Sequence, residues 1–173
     1  GTNNTTVTYG DSLRYEKIEF LPTCSPYVIS GGEFKLDSNS TKEGSALTSY
    51  SRFPVKISSK LHHVGTTFGI YSSGGSYVEL AGECSGGKRV VIGGDVRVSG
   101  SLESGRLEWE SASGGEILGT RLTVLEGGVV SFTNQCKNLS RSATLSVEAS
   151  GLLSMNGSNR WTTVRNMHSV NGR

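Results

Sequence analysis

"RLTVLEGGVVSFTN", residues 121–134, returns 23 positions later as "TLSVEASGLLSMNG", residues 144–157. Laid together, the two stretches match Leu122 with Leu145, Thr123 with Ser146, Val124 with Val147, Gly128 with Gly151 and Ser131 with Ser154. In the first copy Leu122, Val124, Val130 and Phe132 share one parity, and in the second Leu145, Val147, Leu153 and Met155 do. Side chains alternate across a strand, so each copy reads as two strand arms joined by a glycine-containing bend, with four apolar side chains turned to one side.

One such unit cannot stand alone, because burying four side chains does not offset the entropy lost in ordering some 23 residues of backbone. Neighbouring units must cover it. Repeats at this period mark chains stacked along one axis, with backbone groups paired to the units above and below and glycine where the chain bends with φ > 0. A looser copy is read at "RLEWESASGGEIL" (106–118), with Leu107 and Trp109 as its first arm and Ile117 or Leu118 in its second. "RVSGSL" (97–102) is a weaker fourth.

Composition agrees with an all-β chain. The 173 residues suit one domain or two small ones. Charged residues are 18%, below the usual quarter, and glycine reaches 24 copies, which disfavours helices. Twelve or more short strands are expected, among them 5–9, 15–20, 26–30, 32–37, 53–58, 67–72, 76–80, 89–93, 95–100, 106–111 and 116–120, besides the two repeats. Segment 38–50 is the longest polar interruption and reads as a loop. The expected fold is a right-handed parallel β-helix, a β-solenoid, over 86–173, preceded by a less regular β region or capping domain over 1–85. A trimeric β-spiral shaft, suggested by the 15-residue step from Leu107 to Leu122, and an antiparallel β-sandwich are the competing architectures. The absence of a clear polar cap before Arg173 suggests a longer fibre or closure by a partner.

"LTVLEGGVVSF" and "LSVEASGLLSM" resemble coils of secreted bacterial β-helix adhesins, where L-x-V-x-x-x-G-x-L recurs, and the β-helical tailspikes and tail fibres of bacteriophages. The likeness covers residues 88–157. It implies an elongated, extracellular or virion-surface structure that presents an attachment surface, a homo-oligomer with a trimer among the options, and host-surface polysaccharide or a partner protein as its counterpart.

The chemistry-bearing residues point more to binding than to catalysis, and no catalytic residue is assigned. Glu108 and Glu110 flank Trp109 on the opposite strand face and could serve a glycan groove; a polysaccharide-degrading β-helix enzyme is the alternative they raise. No spacing ties Asp95, Glu103, Glu116 and Glu126 together. Trp161, Tyr71 and Tyr77, with Tyr50 behind them, offer flat faces for sugar rings, whereas Trp109 fills a core position of its repeat. Adjacent His62 and His63 face opposite sides of a strand and His168 is distant, so no metal site and no cofactor are expected. "SGGKRVV" (85–91) and "GGDVRVSG" (93–100) lack the ending and following helix of a phosphate loop and read as turns. A formal charge of +2 with scattered cations argues against nucleic acid, and no apolar run is long enough to insert in a membrane. Cys24, Cys84 and Cys136 read as buried thiols, with one bridged pair and one left over as the alternative. Sequons at Asn3, Asn4, Asn39, Asn138 and Asn156 are as frequent as an Asn/Ser/Thr-rich chain produces by chance.

Overall fold

The computed structural model describes residues 5–8, 12–22, 25–37, 46–109, 120–133, 144–148, 150–155 and 167–169. They form twenty short strands and no helix. In chain order the first nine are β1 (Thr5–Thr8), β2 (Ser12–Tyr15), β3 (Ile18–Phe20), β4 (Tyr27–Ser30), β5 (Glu33–Leu36), β6 (Leu47–Ser49), β7 (Val55–Ile57), β8 (Lys60–His63) and β9 (Thr67–Ser72). Then come β10 (Tyr77–Leu80), β11 (Glu83–Gly86), β12 (Arg89–Gly93), β13 (Asp95–Val98), β14 (Ser101–Ser104) and β15 (Leu107–Trp109). The last five are β16 (Arg121–Val124), β17 (Val129–Phe132), β18 (Thr144–Val147), β19 (Leu152–Met155) and β20 (Met167–Ser169).

These strands make three sheets, which the chain visits in turn. The first is β1-β4-β7-β10-β13-β16-β18-β20, the second β2-β5-β8-β11-β14-β17-β19 and the third β3-β6-β9-β12-β15. Every pairing among the described strands is parallel, which rules out the antiparallel sandwich. The two repeats lie on one another as their parity requires: Leu122 on Leu145 and Val124 on Val147 in the first sheet, Val130 on Leu153 and Phe132 on Met155 in the second.

Register is constant although the connections are not. One inward column of the first sheet reads Tyr27, Val55, Val78, Val96, Leu122 and Leu145, with steps from 18 residues (Val78 to Val96) to 28 (Tyr27 to Val55). A second column reads Phe34, Leu61, Cys84, Leu102, Val130 and Leu153, and a third Leu47, Ile70 and Ile92. Inward residues from all three sheets form a single apolar cluster from Phe20 to Val147. The pairing crosses residues 85 and 86 without a break through β8–β11–β14, β9–β12–β15 and β10–β13.

Two further expectations change. Leu107 and Trp109 belong to the third sheet, on Val90 and Ile92, so they are not a first arm of the repeat, and the 15-residue step to Leu122 joins different sheets; Ile117 and Leu118 lie outside the described residues. The strands beneath the first repeat are β13 and β14, within which the weaker "RVSGSL" falls: Val96 and Val98 sit on Leu122 and Val124, and Leu102 on Val130. A two-armed template could not see the third strand of each circuit. Within the expected loop 38–50, Leu47–Ser49 form β6; residues 38–45 lie outside the described residues.

The connection before β13 exposes the constraint at the corners. Residue 94 alone joins β12 to β13, and it has φ +76. A Cβ built on Gly94 would run into the carbonyl oxygen of Ser72, which belongs to the circuit below. Both the dihedral and the backbone contact require glycine. Gly94→Ala should therefore lower the unfolding free energy by more than about 1 kcal/mol, measured as a fall in the urea midpoint at unchanged slope.

Candidate functional site

The outward face of the first sheet carries the densest polar arrangement among the described residues. Parallel pairing stacks Lys56, Glu79, Arg97 and Thr123 in one outward column, and Tyr77, Asp95 and Arg121 in the next. Alternating sign along the column brings opposite charges together at strand spacing. Lys56 Nζ lies 2.9 Å from Glu79 Oε1, and the Ser99 hydroxyl, from the corner after β13, donates to the same oxygen at 2.6 Å. Arg97 donates through Nε and Nη2 to the two oxygens of Asp95 at 3.3 and 3.1 Å, and its guanidinium lies 3.7 Å above the centre of the Tyr77 ring. The planar fork is thus fixed by two partners at once.

Partial burial alone would raise the Glu79 pKa. The hydrogen bonds from Ser99 and Lys56, aided by the charges of Lys56 and Arg97, outweigh it and hold the carboxyl below the ordinary glutamate range. Cys84 sits in an inward column, where burial, helped slightly by Glu83, pushes its thiol up to about 12. It is a free, buried thiol and a poor nucleophile. Cys24 and Cys136 lie outside the described residues.

Of the expected binding residues Tyr71, Tyr77, Glu108, Glu110 and Trp161, only Tyr71 and Tyr77 have side chains among the described residues. Tyr71 is corrected: it is fully buried, so it presents no face to a sugar. It lies between Thr48 and Gly93 on the outward side of the third sheet, and period-2 reading assigns a side without revealing whether that side is covered. Tyr77 is half-buried, with Arg97 occupying one ring face. The backbone of Glu108 pairs with Val91; its side chain, together with Glu110 and Trp161, lies outside the described residues. Tyr50 is half-buried and its backbone N–H bonds Phe20. Asp95 faces Arg97, Glu103 and Glu126 are exposed, and Glu116 and all five sequons lie outside the described residues.

His62 and His63 do face opposite sides. The Nδ1 of His62 meets the Ser85 hydroxyl at 3.1 Å on the outside, while His63 stacks on Phe68 within, 5.0 Å between centroids and 9° from parallel. Among the described residues, no three of His, Cys, Asp and Glu gather in an arrangement that could hold a metal ion. In "SGGKRVV" the N–H groups of Gly87, Lys88 and Arg89 all bond carbonyls of the circuit below, at His63 and Thr66, which leaves none of them for a phosphate.

The charge network was the feature that sequence reading missed, although the i and i+2 spacing of Asp95 and Arg97 already places them on one strand face. Glu79→Gln should lower the thermal midpoint at neutral pH. Because the native carboxyl titrates below its unfolded value, its stabilisation is complete above the ordinary glutamate range and is lost as pH falls through the lower native value. The gap between the variant and the parent should therefore close in acid. No protein-family model, curated protein or solved structure matches the chain.

Proposed function

We propose that the chain is a stretch of right-handed parallel β-helix that serves as a non-enzymatic structural and attachment module of an elongated fibre. The reading includes its setting, outside the cell or on a virion, as in phage tailspikes, tail fibres or secreted adhesins. It also includes assembly as a homo-oligomer and binding to host-surface polysaccharide or a partner protein, without nucleic acid or membrane insertion.

One observation carries the proposal: the quartet Leu122, Val124, Val130 and Phe132 lies in register with Leu145, Val147, Leu153 and Met155, and the same columns continue through earlier circuits. A chain that repeats one circuit grows along an axis by about 4.8 Å each time, so eight stacked strands span roughly 34 Å. The right hand is the one that parallel crossovers take. Such a body holds three flat outward faces at fixed spacing, which suits multipoint contact better than a closed pocket does. Several outward acids (Glu19, Glu33, Glu79, Glu83 and Asp95) each face a cation rather than another acid, which favours binding over glycosidic cleavage.

The test is adhesion of the labelled chain to a panel of immobilised bacterial and animal surface polysaccharides, with reducing ends assayed in the same wells. Retention without new reducing ends is the expected result. Release of reducing ends from any of them would select the polysaccharide-degrading alternative, and adhesion to none would remove glycan attachment.

A further inference from the structure

The outward face of the first sheet holds a cation whose natural partner is already taken. In the column Tyr77, Asp95, Arg121 and Thr144, the acid next to Arg121 in register is Asp95. Both carboxylate oxygens of Asp95, however, accept hydrogen bonds from Arg97, two residues along its own strand. Glu79, the other acid among the described outward positions of this sheet, accepts from Lys56 and Ser99. Arg121 is exposed, and its guanidinium makes no hydrogen bond or ion pair among the described residues. Beyond it hydroxyls replace charges: Thr144 stands over Arg121 and Ser146 over the buried Thr123, and both Thr144 and Ser146 are half-buried. The exposed Glu148 lies past the far end of β18, where its N–H bonds Val124, and so leaves the Arg121 end of the face cationic.

We infer that Arg121 anchors a binding site for acidic polysaccharide on this face, its guanidinium taking a sugar carboxylate while Thr144 and Ser146 meet the sugar hydroxyls. The inference rests on the attachment reading above and names the class of glycan. The planar fork of an arginine presents parallel N–H donors to the two oxygens of a carboxylate. A threonine or serine hydroxyl both donates and accepts, as a sugar hydroxyl does. Outward positions recur at about 4.8 Å along the stack, close to the advance per sugar of an extended 1,4-linked polysaccharide, so a chain laid along the axis keeps step with successive circuits. A protein partner is less well served. Protein interfaces are built around aromatic and apolar anchors, and the outward positions of β16 and β18 carry none, while Arg97 already lies over the ring of Tyr77. Arg97 also has a positioning part: by holding Asp95 it keeps that carboxylate from closing on Arg121.

Retention of the chain on immobilised polygalacturonate, alginate, hyaluronate and polysialic acid, each beside its carboxyl-reduced counterpart, tests this. Retention on at least one acidic polymer is expected, weakened by added salt and lost on the reduced form. Arg121→Gln should weaken it about tenfold, the loss expected for one hydrogen-bonded charge pair. Lys88→Gln removes the same charge at an exposed position outside the first sheet and should leave retention intact. Circular dichroism checks that both variants keep their strand content. Retention that survives Arg121→Gln, or that is equal on the carboxyl-reduced polymers, overturns the inference and leaves the attachment reading standing. Retention on no polysaccharide, acidic or neutral, overturns both.

Discussion

Everything in this chain depends on parallel backbone pairing that holds one register while the connections between strands change length. Val78 to Val96 takes 18 residues and Val96 to Leu122 takes 26, yet Val stands on Val and then on Leu in both steps. Slipping a strand by one residue would turn its apolar side chains outward, so the core enforces the register wherever it is continuous. The corners extend the same pairing: the N–H groups of Ala81, Ser99 and Leu125 bond Ile57, Leu80 and Val98 of the circuits below. Glycine is needed where the circuits approach too closely for a side chain, as at Gly94 over Ser72.

The outward faces follow a different rule. A column of side chains at strand spacing brings like charges close unless signs alternate, and in the first sheet they do, from Lys56 to Glu79 to Arg97. In the second sheet Glu33, Lys60 and Glu83 alternate as well, with Lys60 3.0 Å from Glu83. Exposed pairs of this kind contribute little to stability. Glu79 is the exception worth separating, since its side chain is only 14% exposed and Ser99 adds a second hydrogen bond.

What could be read in the sequence follows from how many apolar residues each strand carries. β9, β12 and β13 hold two or more inward apolar residues at period 2 and were legible, as were the paired arms β16–β19. β6, β11 and β14, written LTS, ECSG and SLES, each turn a single apolar residue inward: Leu47, Cys84 and Leu102. Neighbours above and below hold such strands, and a window along the chain cannot see them. Reading the strands one by one also did not show that each circuit has a third arm, so Leu107 and Trp109 were assigned to an arm of the repeat that belongs to other strands. At the surface, the alternation revealed sides but not coverage, which is why Tyr71 looked available. The Asp95–Arg97 pair was visible in principle, while its link to Glu79, Lys56 and Ser99 needed the stacking.

The 18-residue circuit from Tyr77 to Gly94 is one complete storey of the building. To the backbone, storeys are interchangeable: with 77–94 excised, Asp95 would follow Ser76, Val96 would land on Val55 and Leu102 on Leu61, and the interior would close over the gap. The charges would object, because Lys56 would then stand beside Arg97 with Glu79 gone from between them. The apolar columns say that strands must stack, and the ionic columns say which strand belongs on which, giving each storey an address that its near-identical interior lacks.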